Sequence, residues 1–297
     1  MEKLVIGQMT WPELEQELEH IKVALVPVGS CEQHGPNTTF VTDAARASSF
    51  AEKLAERCGK KVVVFPPVTY GLSLHHMDFP GTVTLRVETM MNLLEDIGVS
   101  IAKHGIKKIL FLNAHGGNFP ALEGAGINLK QLHGVEAYWS AVGSEISLGG
   151  RTGLPKLIGH ACEVETSSCL YLCPETVRED RVPGIMQDSM LTRDSFIKGG
   201  AAWSWKNDAS RNGALGDARK ATYEIGKAMT EEALDYMEKL VDEACALAAQ
   251  NGHTVVGELP FSPLVPQAML RRRALTEDPS PLTAPLAAMW RGIRQLA

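Results

Sequence analysis

Three runs of consecutive apolar residues set the strongest limit on how this chain can fold. They are VALVPVGS at 23–30, KVVVFPPVTYG at 61–71 and KKILFLNA at 107–114. Such runs are typical of strands that are buried on both faces, and each is followed by a stretch with helical periodicity. The alternation predicts an α/β fold whose mainly parallel sheet is covered by helices on both faces.

The remaining elements follow from periodicity and from helix-start signals. We predict a fourth strand at 135–141 and helices at 10–20, 43–58, 87–104, 119–133, 160–173 and 217–248. The stretch 180–216 has the composition of a loop. Because 259–297 is rich in Pro, Arg and Ala, we expect one catalytic domain over 1–258 and a C-terminal arm or tail over 259–297.

Charge and composition narrow the class of partner. The 297 residues include 29 Lys and Arg against 35 Asp and Glu, which gives a formal net charge of −6. This balance offers no electrostatic reason to expect nucleic acid or an anionic membrane as a partner, so a small-molecule substrate is the simpler expectation. No signal peptide or long apolar run is visible, and the six scattered cysteines suit reduced thiols in a cytoplasmic protein.

The segment SCEQHGPNTTFVTDA, which follows the first apolar run, carries three candidate metal ligands. Glu32 and His34 alternate in an extended loop, so their side chains point the same way. Asp43 lies at the start of a predicted helix, where a carboxylate by itself is more often an N-cap than a ligand. Glu32 alone would suit a surface loop and His34 a structural histidine, but together the three indicate a metal site.

Two further motifs follow later apolar segments. NAHGGN places His115 at the end of a buried strand; a tight turn with a capping histidine is the alternative, which the separate Glu/His/Asp cluster makes less favoured than a metal ligand. HACEVETS contains His160, Glu163 and Glu165 where a loop enters a helix. One of the two glutamates could be there only because the helix dipole stabilises an acidic residue in the first turn. We single out His160 and Glu165 as catalytic residues, His160 for proton transfer and Glu165 also as a metal ligand. Mixed imidazole and carboxylate ligands suit Zn, Mn or Fe(II).

Taken in order, these motifs resemble the creatininase (creatinine amidohydrolase) family. The matching segments are VGSCEQHGP with Thr42-Asp43, YGLSLHHMDFPGT at 70–82, NAHGGN at 113–118, HACEVETS at 160–167 and GALGDARKATYEIGKAM at 213–229. The resemblance implies a three-layer α/β/α fold, a homohexamer and a centre of two divalent metal ions per subunit. In that centre Glu32 and His115 would hold one metal, His34 the other, and Asp43 would bridge them.

The chain departs from creatininases proper at two positions. Gly117 stands where they carry a glutamate, so Glu165 is the candidate to complete the second metal site. Lys156 stands where they carry a tryptophan that stacks on creatinine, which makes creatinine an unlikely substrate, although Trp139 is still a candidate for substrate binding. The resemblance is to the HGGN branch, which includes formamide hydrolases on nucleotide-biosynthesis intermediates, peptide-processing members of the mycofactocin system and hydrolases of oxidised inositols.

Several residues suggest what the substrate is. The predicted substrate-binding residues are His76, Trp139, Asn37, Gly116 and Gly117. Polar side chains at Asn37, Thr38 and Thr39 favour a polyol, so a hydrolase that opens a ring of the 3-dehydro-scyllo-inosose type is a leading option. Hydrolysis of a nucleotide-biosynthesis formamide or of a peptide is the alternative.

Three other kinds of protein are alternatives to a metal-dependent hydrolase. A catalytically inactive metal-binding or scaffold homologue stays open, since Gly117 leaves a gap in the ligand set. A dinucleotide-binding enzyme is excluded because no GxGxxG follows the first strand. A thiol hydrolase using Cys31 or Cys162 is less favoured than buried thiols beside metal-binding loops.

Overall fold

The computed structural model describes residues 3–142, 159–184 and 204–249. Within them the chain alternates strands and helices. In chain order the elements are β1 Leu4–Val5, α1 Trp11–Glu17, β2 Val23–Val28, α2 Thr42–Cys58, β3 Val62–Val64, α3 Val87–Lys103, β4 Lys108–Asn113, α4 Phe119–His133, β5 Glu136–Ala141, α5 Glu163–Leu172 and α6 Tyr223–Ala249.

The strands form one parallel sheet in the order β1-β3-β2-β4-β5. β2 lies at the centre, where Ala24 pairs with Val63 on one side and with Ile109 on the other. Helices cover both faces, so the predicted three-layer α/β/α fold with a parallel sheet is confirmed. Because all strands run the same way, their carboxyl ends meet at one edge of the sheet.

Two apolar layers hold the sheet between the helices. Alternate residues of β2 point to opposite faces: Val23 and Leu25 join a cluster with α2, α5 and α6, whereas Ala24 and Val26 join a cluster with α3 and α4. The whole of β2 is buried, as its uninterrupted apolar sequence predicted. A residue at the carboxyl end of β2 is therefore held from both sides.

Three elements differ from the sequence-based expectation. The run at 61–71 forms only the short strand β3, because Pro66 and Pro67 follow it and cannot donate ladder hydrogen bonds. β1 was not predicted, since two residues carry no periodicity. α6 begins at Tyr223 rather than at 217, because the Asp217 side chain accepts a hydrogen bond from the backbone of Arg219 and closes a separate short turn.

Residues 250–297 lie outside the described residues, and with them the tail predicted at 259–297 and its boundary at 258. The domain division therefore stays a prediction. Among the described helices, none has the combination of length and apolar character that crossing a membrane requires.

Candidate metal centre

The predicted catalytic and metal-binding residues meet at the carboxyl edge of the sheet. Glu32 and His34 lie in the loop after β2, and Asp43 lies in the first turn of α2. The loop after β4 brings in His115. The last two side chains come from more than 40 residues further along the chain, His160 just before α5 and Glu165 from its first turn. All six side chains are buried or nearly so.

Asp43 lies between two groups of side chains. Its Oδ1 is 3.2 Å from His34 Nε2, and its Oδ2 is 3.5 Å from His115 Nδ1. Glu32 Oε1 approaches the same His115 nitrogen to 3.2 Å, while Glu165 Oε1 is 3.7 Å from His34 Nε2. We call Glu32 with His115 the Glu32 side, and His34 with Glu165 the His34 side. A carboxylate with one oxygen towards each side has the arrangement of a bridging ligand.

Backbone carbonyls determine which nitrogen of each histidine faces the carboxylates. His115 Nε2 lies 2.9 Å from Leu72 O, so its Nδ1 is directed at Glu32 and Asp43. His34 Nδ1 lies 3.2 Å from Glu32 O, so its Nε2 is directed at Asp43. A ring nitrogen that faces a backbone carbonyl carries the proton, which leaves the other nitrogen of a neutral ring able to bind a metal ion.

Charge coupling is strong on both sides of Asp43. Burial alone would raise the pKa of Glu32, but His115, His76 and His160 lower it well below its usual range. Burial opposes protonation of His115, yet Glu32 and Asp43 raise its pKa to about 9. The pKa of His34 is likewise raised, by Asp43 and Glu165 against the effect of burial. These buried carboxylates therefore require positive charge beside them.

His160 is oriented as a proton acceptor. Its Nε2 lies 2.6 Å from Gln33 O, and its Nδ1 is 3.8 Å from Glu32 Oε1 and 4.0 Å from Glu165 Oε2. Burial and the neighbouring His34 lower its pKa, so the ring is neutral at neutral pH. A neutral histidine with an unprotonated nitrogen facing the site suits the proton-transfer role predicted for it.

Sequence reasoning missed Arg46, which lies one turn after Asp43 on α2. This arginine is buried, and its Nη1 is 2.6 Å from Glu165 Oε1 and 3.9 Å from Asp43 Oδ1. The other oxygen of Glu165 accepts a hydrogen bond of 2.6 Å from Ala161 N. Although burial would raise the pKa of Glu165, His34 and Arg46 lower it, so this carboxylate stays ionised. Its placement favours the predicted metal-ligand role over a role in proton transfer.

A cavity of about 510 Å³ opens from the Glu32 side. Its described lining combines the site with an aliphatic and aromatic wall, and consists of Glu32, Leu72, Leu74, His75, His76, Val87, His115, Gly116, Gly117, Pro120, Gly159, His160 and Trp205. His76, Gly116 and Gly117, three of the predicted substrate-binding residues, are among them. His34, Asp43 and Glu165 are absent from this lining, so a substrate meets the centre from the Glu32 side.

The other two predicted substrate-binding residues lie elsewhere, which corrects the expectation from sequence. Asn37 is fully buried, and its Nδ2 donates to Ala161 O and to Thr166 Oγ1 at 3.1 and 3.0 Å. It joins the loop after β2 to α5. Trp139 stacks on Phe119 with 5.0 Å between ring centroids and donates to Glu123 from Nε1, so it packs against α4 and does not line the cavity.

Gly117 is required by close packing. A Cβ at this position would lie 2.3 Å from Leu72 O and 2.4 Å from His115 Nε2, whereas a Cβ at Gly116 would meet nothing within 4 Å. The backbone of this chain therefore leaves no room for a glutamate at 117. Glu165, which approaches His34 from α5, is the carboxylate available to complete the His34 side.

Trp205 is a second residue that sequence reasoning missed. It lies next to Ser204, and its ring centroid is 4.6 Å from that of His76 and 4.9 Å from that of His160. His75 lies parallel to His115 at 5.9 Å, and burial lowers its pKa to about 4. A tryptophan in a polar loop was the only signal that the sequence offered for this contact.

The donor set fits a divalent metal ion. Four overlapping groups of three ligand atoms lie within 4.8 Å of one another: Glu32 with His34 and Asp43, Glu32 with His75 and His115, Glu32 with His76 and His160, and His34 with His160 and Glu165. In the described part of the chain, Glu32 Oε2 is a buried oxygen without a hydrogen-bond partner. A metal ion would satisfy that oxygen and supply the positive charge that the carboxylates need.

Comparison with known proteins agrees with the geometry. The family model described as "Creatininase: Creatinine amidohydrolase" matches residues 7–241. The mycofactocin precursor peptide peptidase of Mycobacterium ulcerans (strain Agy99) is 34% identical over 234 residues, which are 76% of this chain and 83% of that protein.

Two further matches bear on length and fold. The 3-dehydro-scyllo-inosose hydrolase of Thermotoga maritima is 28% identical over 314 aligned residues, covering 96% of this chain and 94% of that protein. A solved creatininase mutant described as Zn-Zn type has a TM-score of 0.70 and 24% identity, covering 82% of this chain and 98% of that chain.

Proposed function

Because this chain belongs to the creatininase family, we propose that it is a metal-dependent hydrolase that attacks the carbonyl carbon of a small uncharged substrate. Its relatives carry the names of hydrolases and a peptidase. The observation that carries the proposal is the pairing of buried carboxylates and oriented histidines around Asp43 at the floor of a cavity. Buried carboxylates are costly unless a positive charge compensates them, and a bound cation would do so here.

Each side of Asp43 would hold a divalent ion such as Zn, Mn or Fe(II). Glu32 and His115 would hold one ion, His34 and Glu165 the other, and Asp43 would contact both. A divalent ion in such a site polarises a carbonyl group and lowers the pKa of water. His160 then takes a proton from the attacking water through Nδ1 and returns it to the leaving atom.

The cavity lining supports an amide with an apolar group beside it as the first substrate candidate. Leu72, Leu74, Val87, Pro120 and Trp205 are the aliphatic and aromatic residues of the lining, and no Lys or Arg belongs to the described lining. A phosphorylated nucleotide intermediate would need such a cation. Two of the three polar side chains that favoured a polyol are engaged elsewhere, since Thr38 Oγ1 donates to His34 O and Asn37 donates to Thr166 of α5.

A cyclic polyol ketone is the second candidate, and one observation favours it. The match to the 3-dehydro-scyllo-inosose hydrolase extends over 96% of this chain, whereas the match to the mycofactocin peptidase of M. ulcerans extends over 76%. The first alignment therefore includes sequence that the second does not. Ring opening of such a ketone would use the same carbonyl attack.

Metal analysis tests the core of the proposal. The purified protein should contain Zn, Mn or Fe, and chelation should abolish hydrolysis until one of these ions is returned. Glu32→Gln should lower metal content, and Glu15→Gln, an exposed residue of α1, serves as the matched control. A protein that neither contains nor responds to a divalent ion would refute the proposal.

A substrate panel separates the candidates. Peptides blocked at both ends and N-formyl amino-acid amides with apolar side chains should be hydrolysed faster than 3-dehydro-scyllo-inosose, measured as kcat/KM on the metal-loaded protein. The reverse order would establish the polyol ketone as the substrate class. Bound metal without turnover of any panel member would instead identify a catalytically inactive homologue.

A further inference from the structure

Gln33 lies between two candidate ligands and is itself held in a single orientation. Its Oε1 accepts a hydrogen bond of 2.9 Å from Gly35 N, so its Nε2 must be the donor group of the amide. That Nε2 donates to Gly213 O at 3.3 Å and lies 2.8 Å from His76 Nδ1. The three contacts fix which end of the amide faces His76.

The Gln33 amide therefore determines the tautomer of His76. Because Gln33 Nε2 can only donate, His76 Nδ1 must accept, and a neutral His76 carries its proton on Nε2. His76 Nε2 is directed at Glu32 Oε1 across 3.5 Å. That separation exceeds an ordinary N–H···O hydrogen bond and leaves the proton available to another oxygen in the cavity.

The backbone of the same residue imposes the same Nε2-protonated tautomer on His160, but there the unprotonated nitrogen, Nδ1, is the one that faces the site. Gln33 O can only accept, and it lies 2.6 Å from His160 Nε2, so that nitrogen carries the proton and Nδ1 does not. The two rings stack with centroids 4.6 Å apart. Nε2 of His76 and Nδ1 of His160 approach the same oxygen, Glu32 Oε1, at 3.5 and 3.8 Å.

Close packing of Gly213 and Trp205 against Gln33 and His76 holds this arrangement. Gly213 has φ +90, and a Cβ there would lie 1.8 Å from Gln33 Oε1, so only glycine lets the chain pass this close to the amide. Gly213 O also accepts a hydrogen bond of 2.9 Å from Trp205 Nε1, and the Trp205 ring covers His76. The 204–213 segment thus packs against both Gln33 and His76.

We propose that Gln33 is a positioning residue that holds His76 and His160 in the same Nε2-protonated tautomer with opposite nitrogens facing the site. The Nε2–H of His76 is then a hydrogen-bond donor beside a proton acceptor, Nδ1 of His160. The inference rests on the proposed hydrolase function for its consequence. His160 Nδ1 takes a proton from the attacking water as the carbon–oxygen bond forms, and the proton passes to the leaving nitrogen as the carbon–nitrogen bond breaks. His76 donates a hydrogen bond to the carbonyl oxygen and keeps its proton.

Solid-state ¹⁵N NMR of the full chain labelled at histidine tests the proposal, because protonated and unprotonated ring nitrogens give well-separated signals. Spectra are recorded on the chelated protein and again after addition of zinc. His76→Asn and His160→Asn serve only to assign the two sets of signals. Since the tautomers are read without turnover, failure of the hydrolase proposal and failure of this inference are distinguishable.

In the wild-type protein we expect His76 to be protonated only at Nε2 and His160 only at Nε2. Gln33→Glu replaces the amide donor by an acceptor, so His76 should become protonated at Nδ1, while His160, which uses the backbone, keeps its tautomer. Gln33→Met should release His76 into a mixture of tautomers, again without a change at His160. The matched control, Gln131→Glu at an exposed position of α4, should change neither ring.

Three results would overturn the inference. The first is a wild-type His76 protonated at Nδ1. The second is a Gln33→Glu protein in which His76 is unchanged or in which both rings change together. The third is a zinc-induced shift of His76 Nε2 or His160 Nδ1, since direct coordination would make that histidine a ligand instead of a donor or acceptor.

Discussion

The Glu32 side and the His34 side of the centre share Asp43 but differ in what surrounds them. On the Glu32 side, Glu32 and His115 line the cavity, and Glu32 Oε2 has no hydrogen-bond partner in the described part of the chain. On the His34 side, the carboxylate of Glu165 is held 2.6 Å from the buried guanidinium of Arg46. The first side faces the cavity, and the second faces a fixed positive charge.

This difference indicates separate tasks for the two sides. An arginine is permanently charged and cannot leave, so part of the negative charge of the His34 side is balanced by the protein itself. Among the described residues, titratable histidines are what lowers the pKa of Glu32, and Glu32 and His115 line the cavity. We therefore expect catalysis to depend on the Glu32 side and folding to depend on the Arg46 contact.

The largest effect is expected from removing a ligand on the Glu32 side. His115→Ala should lower kcat/KM on the order of 10³-fold, because a metal ion contributes several kcal/mol of transition-state stabilisation. Glu165→Gln, on the His34 side, should lower kcat/KM less than His115→Ala does, because Glu165 does not line the cavity and glutamine keeps an oxygen that can bind a metal ion. The measurement is kcat/KM with the best substrate of the panel, together with metal content. Equal losses in the two variants would contradict the division of tasks.

Arg46→Met should produce the largest loss of stability. It leaves the ionised Glu165 buried without its partner, which costs about 3–5 kcal/mol in comparable buried pairs. The free energy of unfolding in urea, measured on chelated protein, checks this value. The double variant Arg46→Met/Glu165→Gln should recover part of the loss, because it removes the uncompensated charge.

Arg57→Met is the matched control for Arg46→Met. Arg57 pairs with Glu231 and with Asp235 across partly exposed helices, so its loss should cost at most about 1 kcal/mol. If Arg46→Met were no more harmful than Arg57→Met, the guanidinium would not be what stabilises Glu165.

Much of this comparison was visible in the sequence. Buried parallel strands place their carboxyl ends at one edge of the sheet. EQHGP, NAHGGN and YGLSLHH, each of which follows an apolar run, were therefore expected to meet there. That rule predicted that Glu32 and His115 lie close together. The separate motif HACEVETS added His160 and Glu165 to the predicted site. The glycine at 117 also indicated that a carboxylate had to come from elsewhere; Glu165 Oε1 lies 3.7 Å from His34 Nε2, and its role as a metal ligand stays a prediction.

The sequence could not reveal contacts that depend on how distant segments pack. A lone arginine in TDAARASS is typical of an exposed helix face, and only the packing of α5 against α2 buries Arg46 beside Glu165, 119 residues away. Asn37 was assigned to the substrate because loop composition does not say where a side chain points. Its partners, Ala161 and Thr166, are more than 120 residues along the chain.

Gly117→Ala tests how closely the Glu32 side is packed. The added Cβ would overlap Leu72 O and His115 Nε2, so we expect a loss of about 1–3 kcal/mol in the free energy of unfolding. Gly116→Ala is the matched control, since nothing lies within 4 Å of its Cβ position. Similar stabilities for the two variants would show that the backbone near His115 adapts to a side chain.

The smallest expected effect is a pH dependence of stability in the chelated protein. Glu32 and Asp43 raise the pKa of His115 from its usual value of 6.5 to about 9 against the effect of burial. Protonated His115 therefore contributes stability that is fully present below pH 6.5 and is lost as the pH rises through about 9. The melting temperature of the wild type should fall over that interval more steeply than that of His115→Asn. Zinc should reduce the difference, because a metal ion replaces the proton on Nδ1. Identical slopes for the chelated wild type and His115→Asn would mean that the charge of the Glu32 side is balanced by another group.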